Sequence, residues 1–203
     1  MKILPPSSLV VVLALACACG GPSVDRRTTT GSHPAHVVLT PQGEPGIPME
    51  VTGRVFDPDG VTPVAGVTVY AYQTDAEGLY SQSSGTPPRI RGWMTTDAKG
   101  RFGFRTIRPG PYPDRTIPAH IHFQLWGAGW APQYCEDLNF SDDPLLTDQQ
   151  RERSRELGRF GPIVTPELDT DGVLRATHDL KLKVAGDEME DSIRHGMRDE
   201  PGR

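Results

Sequence analysis

Apolar and polar residues alternate with a period of two in several short stretches, and rarely with the longer period of an amphipathic helix. Val51, Gly53 and Val55 alternate with polar neighbours, and Asp57-Pro-Asp-Gly60 then supplies a turn. Val67-Thr-Val-Tyr-Ala-Tyr72 reads as a second strand. Asp97-Ala-Lys-Gly100 is another turn, leading into the alternating Arg101-Phe-Gly-Phe-Arg105. From His120 to Trp126, Ile121, Phe123 and Leu125 share one face, which is apolar enough to be core. Asp171-Gly172 marks a hairpin-like turn, and Leu180, Leu182 and Val184 mark the last strand. One helix is expected, over Asp148 to Leu157: Thr147 and Gln150 have capping-box spacing, and Gly158 is placed to end it. The pattern predicts an all-β fold, a β-sandwich with one short helix and irregular loops.

Composition agrees. The 203 residues suit one domain with extensions, and 22 glycines with 20 prolines favour a turn-rich β domain. A net charge of −5 gives no electrostatic reason to expect nucleic acid or an anionic membrane surface as partner. The arginines of the helix interleave with glutamates and read as a solvated face.

Residues 1–19 have the layout of a secretory signal: Lys2, a short apolar run over 9–16 and small residues beyond it. Ala14-Leu-Ala-Cys17-Ala-Cys19 resembles a bacterial lipobox, with Cys17 or Cys19 as the lipidated residue, so the expected location is the cell envelope or periplasm. Residues 20–47, rich in Gly, Pro, Ser and Thr, read as a flexible tether in which His33 and His36 carry no role. The domain is expected over 48–185, followed by a charged mobile tail over 186–203. Cys135 alone lies in the domain, and reads as a free, buried thiol.

The chemistry begins at His120-Ile-His122. On a strand, residues two apart share a face and lie about 6.5–7 Å from each other, so two imidazoles can converge on one metal. They lie on the face opposite Ile121, Phe123 and Leu125. Tyr112 sits in Arg108-Pro-Gly-Pro-Tyr-Pro113, where flanking prolines restrict the backbone. Tyr80 closes Gln73-Thr-Asp-Ala-Glu-Gly-Leu-Tyr80, just after the second strand. Taken singly, each tyrosine also reads as a packing residue.

The stretch from Val51 to Phe104 resembles sandwich modules of the carboxypeptidase regulatory and transthyretin-like kind, a transthyretin/immunoglobulin-like architecture with no catalytic implication. A second resemblance, from about Val51 to Phe140, carries chemistry. Arg91-Gly92, Thr96-Asp97, Gly100, Phe104-Arg-Thr-Ile-Arg-Pro-Gly-Pro-Tyr-Pro113 and Pro118-Ala-His-Ile-His-Phe123 resemble the intradiol ring-cleavage dioxygenases, the family of protocatechuate and catechol dioxygenases. That resemblance implies one non-haem Fe(III) per chain, held by Tyr80, Tyr112, His120 and His122. It also implies an aromatic diol and dioxygen as substrates, with ring opening between the hydroxylated carbons to a muconate-type diacid. Hard Fe(III) suits anionic oxygen donors, and it can hold as phenolate a tyrosine whose ordinary pKa is about 10.

Two positions depart from the family. Ile117 stands where relatives carry a substrate-stabilising arginine; Arg115 is the nearby cation. Asp137 stands at a family glutamine, where a carboxylate would repel a diolate. Tyr72 falls where relatives often have tryptophan, so Tyr72, Ile117 and Asp137 are expected at the substrate pocket. Trp126 and Trp130 read as core or rim residues, and neither His178 nor His195 is assigned to the metal. A binding protein that captures catechols or iron without turnover, and a purely structural module, are the alternatives. The oligomeric state is left open.

Overall fold

The computed structural model describes residues 33–81, 83, 86–187 and 195–202. Two sheets stack face to face. The first contains β1 (His36–Val38), β2 (Pro48–Phe56), β5 (Arg101–Ile107), β10 (Glu167–Leu168) and β11 (Leu174–Thr177), in the order β1-β5-β2-β11-β10, with β12 (Leu180–Lys181) also on β2. The second contains β3 (Thr68–Gln73), β4 (Ile90–Thr95), β6 (His120–Gly127), β8 (Leu138–Phe140) and β9 (Ile163–Val164), in the order β4-β3-β6-β8-β9, with β7 (Trp130–Tyr134) on β6. The fold is the expected β-sandwich.

Alternation sets the packing. Val51, Val55, Phe102 and Phe104 of the first sheet meet Val69, Ala71, Ile121, Phe123 and Leu125 of the second, all buried. The Phe123 ring lies 6.2 Å from both Phe102 and Phe104, edge-on to the first. Truncating such a residue to alanine costs about 3–5 kcal/mol. The helix α1 spans Asp148–Leu157 with the reciprocal Thr147–Gln150 capping box in place, and none of its residues is buried. Asp169 and Val173 close the hairpin between β10 and β11 around Asp171-Gly172.

Three expectations are corrected at the margins. The tether was expected to run to residue 47, yet His36–Val38 pairs in parallel with β5, and Leu39 is buried. The neighbouring strands make room for it: a Cβ on Gly92 would meet Leu39 at 2.5 Å, and one on Gly103 would meet the His36 ring at 2.7 Å. His33 and His36 pair with Glu200 and Glu50, at 3.0 and 3.1 Å. The last strand stops at Lys181, because the Lys183 amide turns to the Gln133 side chain at 2.6 Å and leaves Val184 exposed.

The charged tail was expected to be mobile, but residues 195–202 lie against the second sheet. There the short helix α2 (His195–Arg198) packs Met197 on the buried cluster of Tyr70, Tyr72 and Trp126. Indole N–H groups fix this segment: Trp93 donates to the Gly196 carbonyl at 2.6 Å, and Trp126 to Glu200 at 3.1 Å. Residues 1–32, with Cys17 and Cys19, and residues 188–194 lie outside the described residues, as does the side chain of His195.

Candidate metal centre

The two loops that carry the tyrosines are locked together through backbone. Asp75, at the end of β3, accepts from the amides of Glu77 and Leu79 with its carboxylate and from Gly110 with its carbonyl. Thr74 donates its hydroxyl to the Gly110 carbonyl at 2.8 Å. The loops then touch at two glycines. A Cβ on Gly78, which has φ +84°, would lie 2.0 Å from the Pro111 carbonyl oxygen; one on Gly110 would lie 2.4 Å from that of Ala76. Each glycine stands two residues before a tyrosine, at Tyr80 and Tyr112. This explains the glycine of both tyrosine motifs: only a residue without a side chain lets the two backbones approach so closely.

On β6, Ile121, Phe123 and Leu125 are buried in the sandwich, and His120 and His122 face outward. The approach to β6 is held by the Asp143 carboxylate, which accepts from the Ala119 amide at 2.8 Å. Tyr72 is the antiparallel register partner of His122, and its ring stacks on the imidazole at 4.6 Å with planes 25° apart.

These supports bring four donor atoms together. Tyr112 Oη lies 2.7 Å from Tyr80 Oη, Tyr80 Oη lies 2.7 Å from His122 Nε2, and His122 Nε2 lies 2.9 Å from His120 Nε2. The far nitrogens determine the tautomers. His120 Nδ1 is 2.7 Å from the Pro118 carbonyl oxygen, which can only accept, so Nδ1 carries the proton. His122 Nδ1 is 2.9 Å from the Asp137 carboxylate and carries its proton there. With each Nδ1 so engaged, the two Nε2 atoms face each other at 2.9 Å, turned towards the phenol oxygens as donors to a cation would be. Burial, reinforced by the Tyr112 hydroxyl, pushes the Tyr80 phenol far above the usual tyrosine range, so a phenolate there needs a positive neighbour. Burial, then the adjacent His122, holds His120 below the usual imidazole value, which keeps it neutral. Two imidazole nitrogens and two phenol oxygens fit a hard, highly charged ion such as Fe(III).

His120, His122 and Asp137 also form a possible cation group of their own. The carboxylate, however, meets the opposite edge of the His122 ring from the Nε2 pair, so it serves the histidine and not an ion held by both Nε2 atoms. Asp137 is thus placed otherwise than expected: its charge is paired with a ring N–H. Tyr72 is buried beside the cluster, as a wall. Ile117 is 44% exposed. Arg115 is exposed on the same loop, with φ 53°, and among the described residues its side chain has no hydrogen-bond or ion-pair partner. Trp126 lies on the outer face with the C-terminal segment, and Trp130 packs at the edge of the core. Cys135 is free and half-buried, with its thiol pushed up to about 12 by burial.

Reading the sequence missed the two glycine contacts, although the Gly-x-Tyr spacing signals them. It also missed His178, which is buried and lies 3.2 Å from the Glu136 carbonyl oxygen, bracing the loop that carries Asp137. No pattern in the sequence announces that contact.

Comparison with known proteins agrees with this geometry. The family model named Dioxygenase_C, described as Dioxygenase, matches residues 20–157, a span that includes all four donors and Asp137. The protocatechuate 3,4-dioxygenase beta chain of Burkholderia cepacia is 34% identical over 145 residues, covering 62% of this chain and 61% of the relative. The hydroxyquinol 1,2-dioxygenase of Rhizobium sp. (strain MTP-10005) is 33% identical over 159 residues, covering 61% and 52%. The chain therefore spans between half and two thirds of the length of these relatives. Among solved structures, the dioxygenase domain of a dioxygenase–carbohydrate-binding protein fusion from Streptomyces sp. SirexAA-E superposes with a TM-score of 0.57 at 27% identity, covering 75% of this chain and 90% of that one. With a match over more than half its length, the chain belongs to the intradiol ring-cleavage dioxygenases, a family dependent on non-haem iron(III).

Proposed function

We propose that this protein is an intradiol dioxygenase that holds one Fe(III) with Tyr80, Tyr112, His120 and His122 and opens a catechol-type diol between its hydroxylated carbons. The observation that carries this reading is the run of four donor atoms, each 2.7–2.9 Å from the next, with both histidines presenting Nε2. Bound there, ferric iron supplies the Lewis acidity that keeps a diol in its electron-rich dianionic form for reaction with dioxygen. Both oxygen atoms enter the product, so catechol plus dioxygen balances to a muconate-type diacid.

The protein's residues divide the remaining work. Among the described residues Tyr80 Oη has two partners, Tyr112 Oη and His122 Nε2, whereas Tyr112 Oη has only Tyr80. Tyr112 is therefore the phenol free to swing aside and accept a proton from a substrate hydroxyl at Oη. Tyr72 closes one side against water and keeps the His122 ring from rotating. With Asp137 hydrogen-bonded to His122 Nδ1, its carboxylate lies at the edge of that ring away from the donor cluster.

A second reading, capture of a catechol or of iron without turnover, draws on Ile117 and Arg115. Ile117 is apolar where the resemblance implies a substrate-stabilising arginine, and the Arg115 side chain is exposed and makes no hydrogen bond or ion pair among the described residues. Absorption and oxygen uptake of the iron-loaded protein separate the two. A tyrosinate-to-iron band that shifts with catechol and recovers as oxygen is consumed supports the enzyme. A band that shifts and stays shifted, with catechol intact, refutes turnover and leaves the binder. A colourless protein that takes up no iron refutes both.

We also propose export to the cell envelope, with lipidation at Cys17 or Cys19. The apolar run and the small residues before each cysteine support this. Mass spectrometry of the mature N-terminus tests it: an unmodified chain that retains Met1 would overturn it.

A further inference from the structure

Asp137 sits in the short loop between β7 and β8, and three contacts from separate parts of the fold hold that loop. The Cys135 amide donates to the Phe123 carbonyl at 3.3 Å, in the strand that carries the histidines. His178 donates its Nε2–H from the end of the first sheet to the Glu136 carbonyl oxygen, which can only accept, at 3.2 Å. Arg153 of α1 pairs with the Glu136 carboxylate at 2.5 Å. The loop is thus braced at the two residues that precede Asp137, and the Asp137 Oδ1 meets His122 Nδ1 at 2.9 Å with both side chains only partly exposed, 37% and 23%.

The two histidines are held unequally. His120 donates its Nδ1–H to a neutral backbone carbonyl, His122 to a carboxylate. A charged acceptor pulls the proton harder, concentrates electron density on the ring and makes Nε2 the stronger donor. Tyr72 stacks on one face of the ring and holds its plane.

We propose that Asp137 is a positioning residue: it fixes His122 in the Nδ1–H tautomer and adds negative charge behind one metal ligand, in place of a substrate-contacting glutamine. The proposal rests on the reading of the four-donor cluster as a ferric site. The added charge would favour the ferric over the ferrous state and raise the energy of the tyrosinate-to-iron band. Asp137 thereby moves part of the site's charge stabilisation from the substrate side to the metal side.

The test uses the full chain labelled with ¹⁵N-histidine, as metal-free protein and after loading with Fe(III), and the variants Asp137→Leu, Asp137→Asn and Asp137→Glu. In the metal-free wild type, long-range ¹H–¹⁵N correlations should show His122 protonated at Nδ1 alone. Asp137→Leu should mix the tautomers, weaken Fe(III) binding by about 10–100-fold and move the band to longer wavelength. Asp137→Asn keeps an acceptor without the charge, so it should retain the tautomer and still move the band. Asp137→Glu should restore all three readouts towards wild type. An unchanged tautomer in folded Asp137→Leu overturns the proposal, whether or not iron binds. A wild type that takes up no iron would sink the ferric reading alone, because the metal-free spectra still decide what Asp137 does to His122.

Discussion

Replacing Gly78 by alanine should damage the proposed metal centre from a position that contacts none of the four donor residues through a side chain. Two costs combine. The backbone at Gly78 has φ +84°, where an L-residue is disfavoured by about 1–2 kcal/mol. The new methyl would also stand 2.0 Å from the Pro111 carbonyl oxygen and 3.3 Å from the Tyr112 Cα, whereas real Cβ contacts do not fall below 3.0 Å. The loops must therefore part by at least about 1 Å, and overpacking of this kind costs a further 1–3 kcal/mol or so. Tyr112 moves with Pro111, while Tyr80 stays with its own loop. The present 2.7 Å between the two phenol oxygens would open by far more than the ~0.2 Å that metal–ligand distances tolerate.

Urea unfolding of the metal-free protein should show a loss of about 2–5 kcal/mol. Fe(III) titration followed by the visible band should show binding weakened by on the order of tenfold or more. Gly172→Ala is the control. It has φ +78° but nothing within 4 Å of its Cβ, so it carries the backbone cost without the collision. If Gly78→Ala matches Gly172→Ala in stability and keeps the wild-type band, the backbone contact does not position the tyrosines.

His178 is buried and neutral, with its pKa held below the usual imidazole range by burial, so the unfolded chain takes up a proton that the folded chain refuses. Its contribution to stability is complete above about pH 6.5 and is lost as pH falls through that value towards the folded-state pKa; a His178→Phe variant should show a shallower loss between pH 7.5 and 5.5 in urea titrations. A parallel slope in the variant would remove His178 as a source of acid sensitivity. Thr147→Ala breaks the capping box of α1 and should cost about 1 kcal/mol in chemical denaturation. Deleting residues 195–203 removes the acceptors of Trp93 and Trp126 and uncovers Tyr70, so tryptophan emission should move to longer wavelength. Emission identical to wild type would mean that this segment does not cover the aromatic face in solution.

The parts of the site that the sequence reveals are those governed by short-range pattern. His120 and His122 are legible because alternation along one strand fixes which way each side chain points. Tyr80 and Tyr112 are legible through their glycine and proline neighbours. Asp137 could be placed in sequence but not in direction, because it sits on an irregular loop where no periodicity orients side chains. The strand His36–Val38 escaped notice for a different reason. Three residues carry almost no pattern, and their place is set by room left at Gly92 and Gly103 on strands far along the chain. The ordered C-terminal segment hides behind its composition, since one methionine and two backbone or carboxylate acceptors anchor an otherwise charged stretch.

Strand β6 also proofreads its own pairing. A slip of one residue against β3 would turn both imidazoles inward and push Ile121, Phe123 and Leu125 into water. Exposing those three side chains costs roughly 5–9 kcal/mol, comparable with the whole stability of an ordinary domain. Misregistered molecules would therefore be vanishingly rare even before any metal arrives. The histidines inherit their accuracy from the oily residues between them, so metal loading can follow folding and need not guide it.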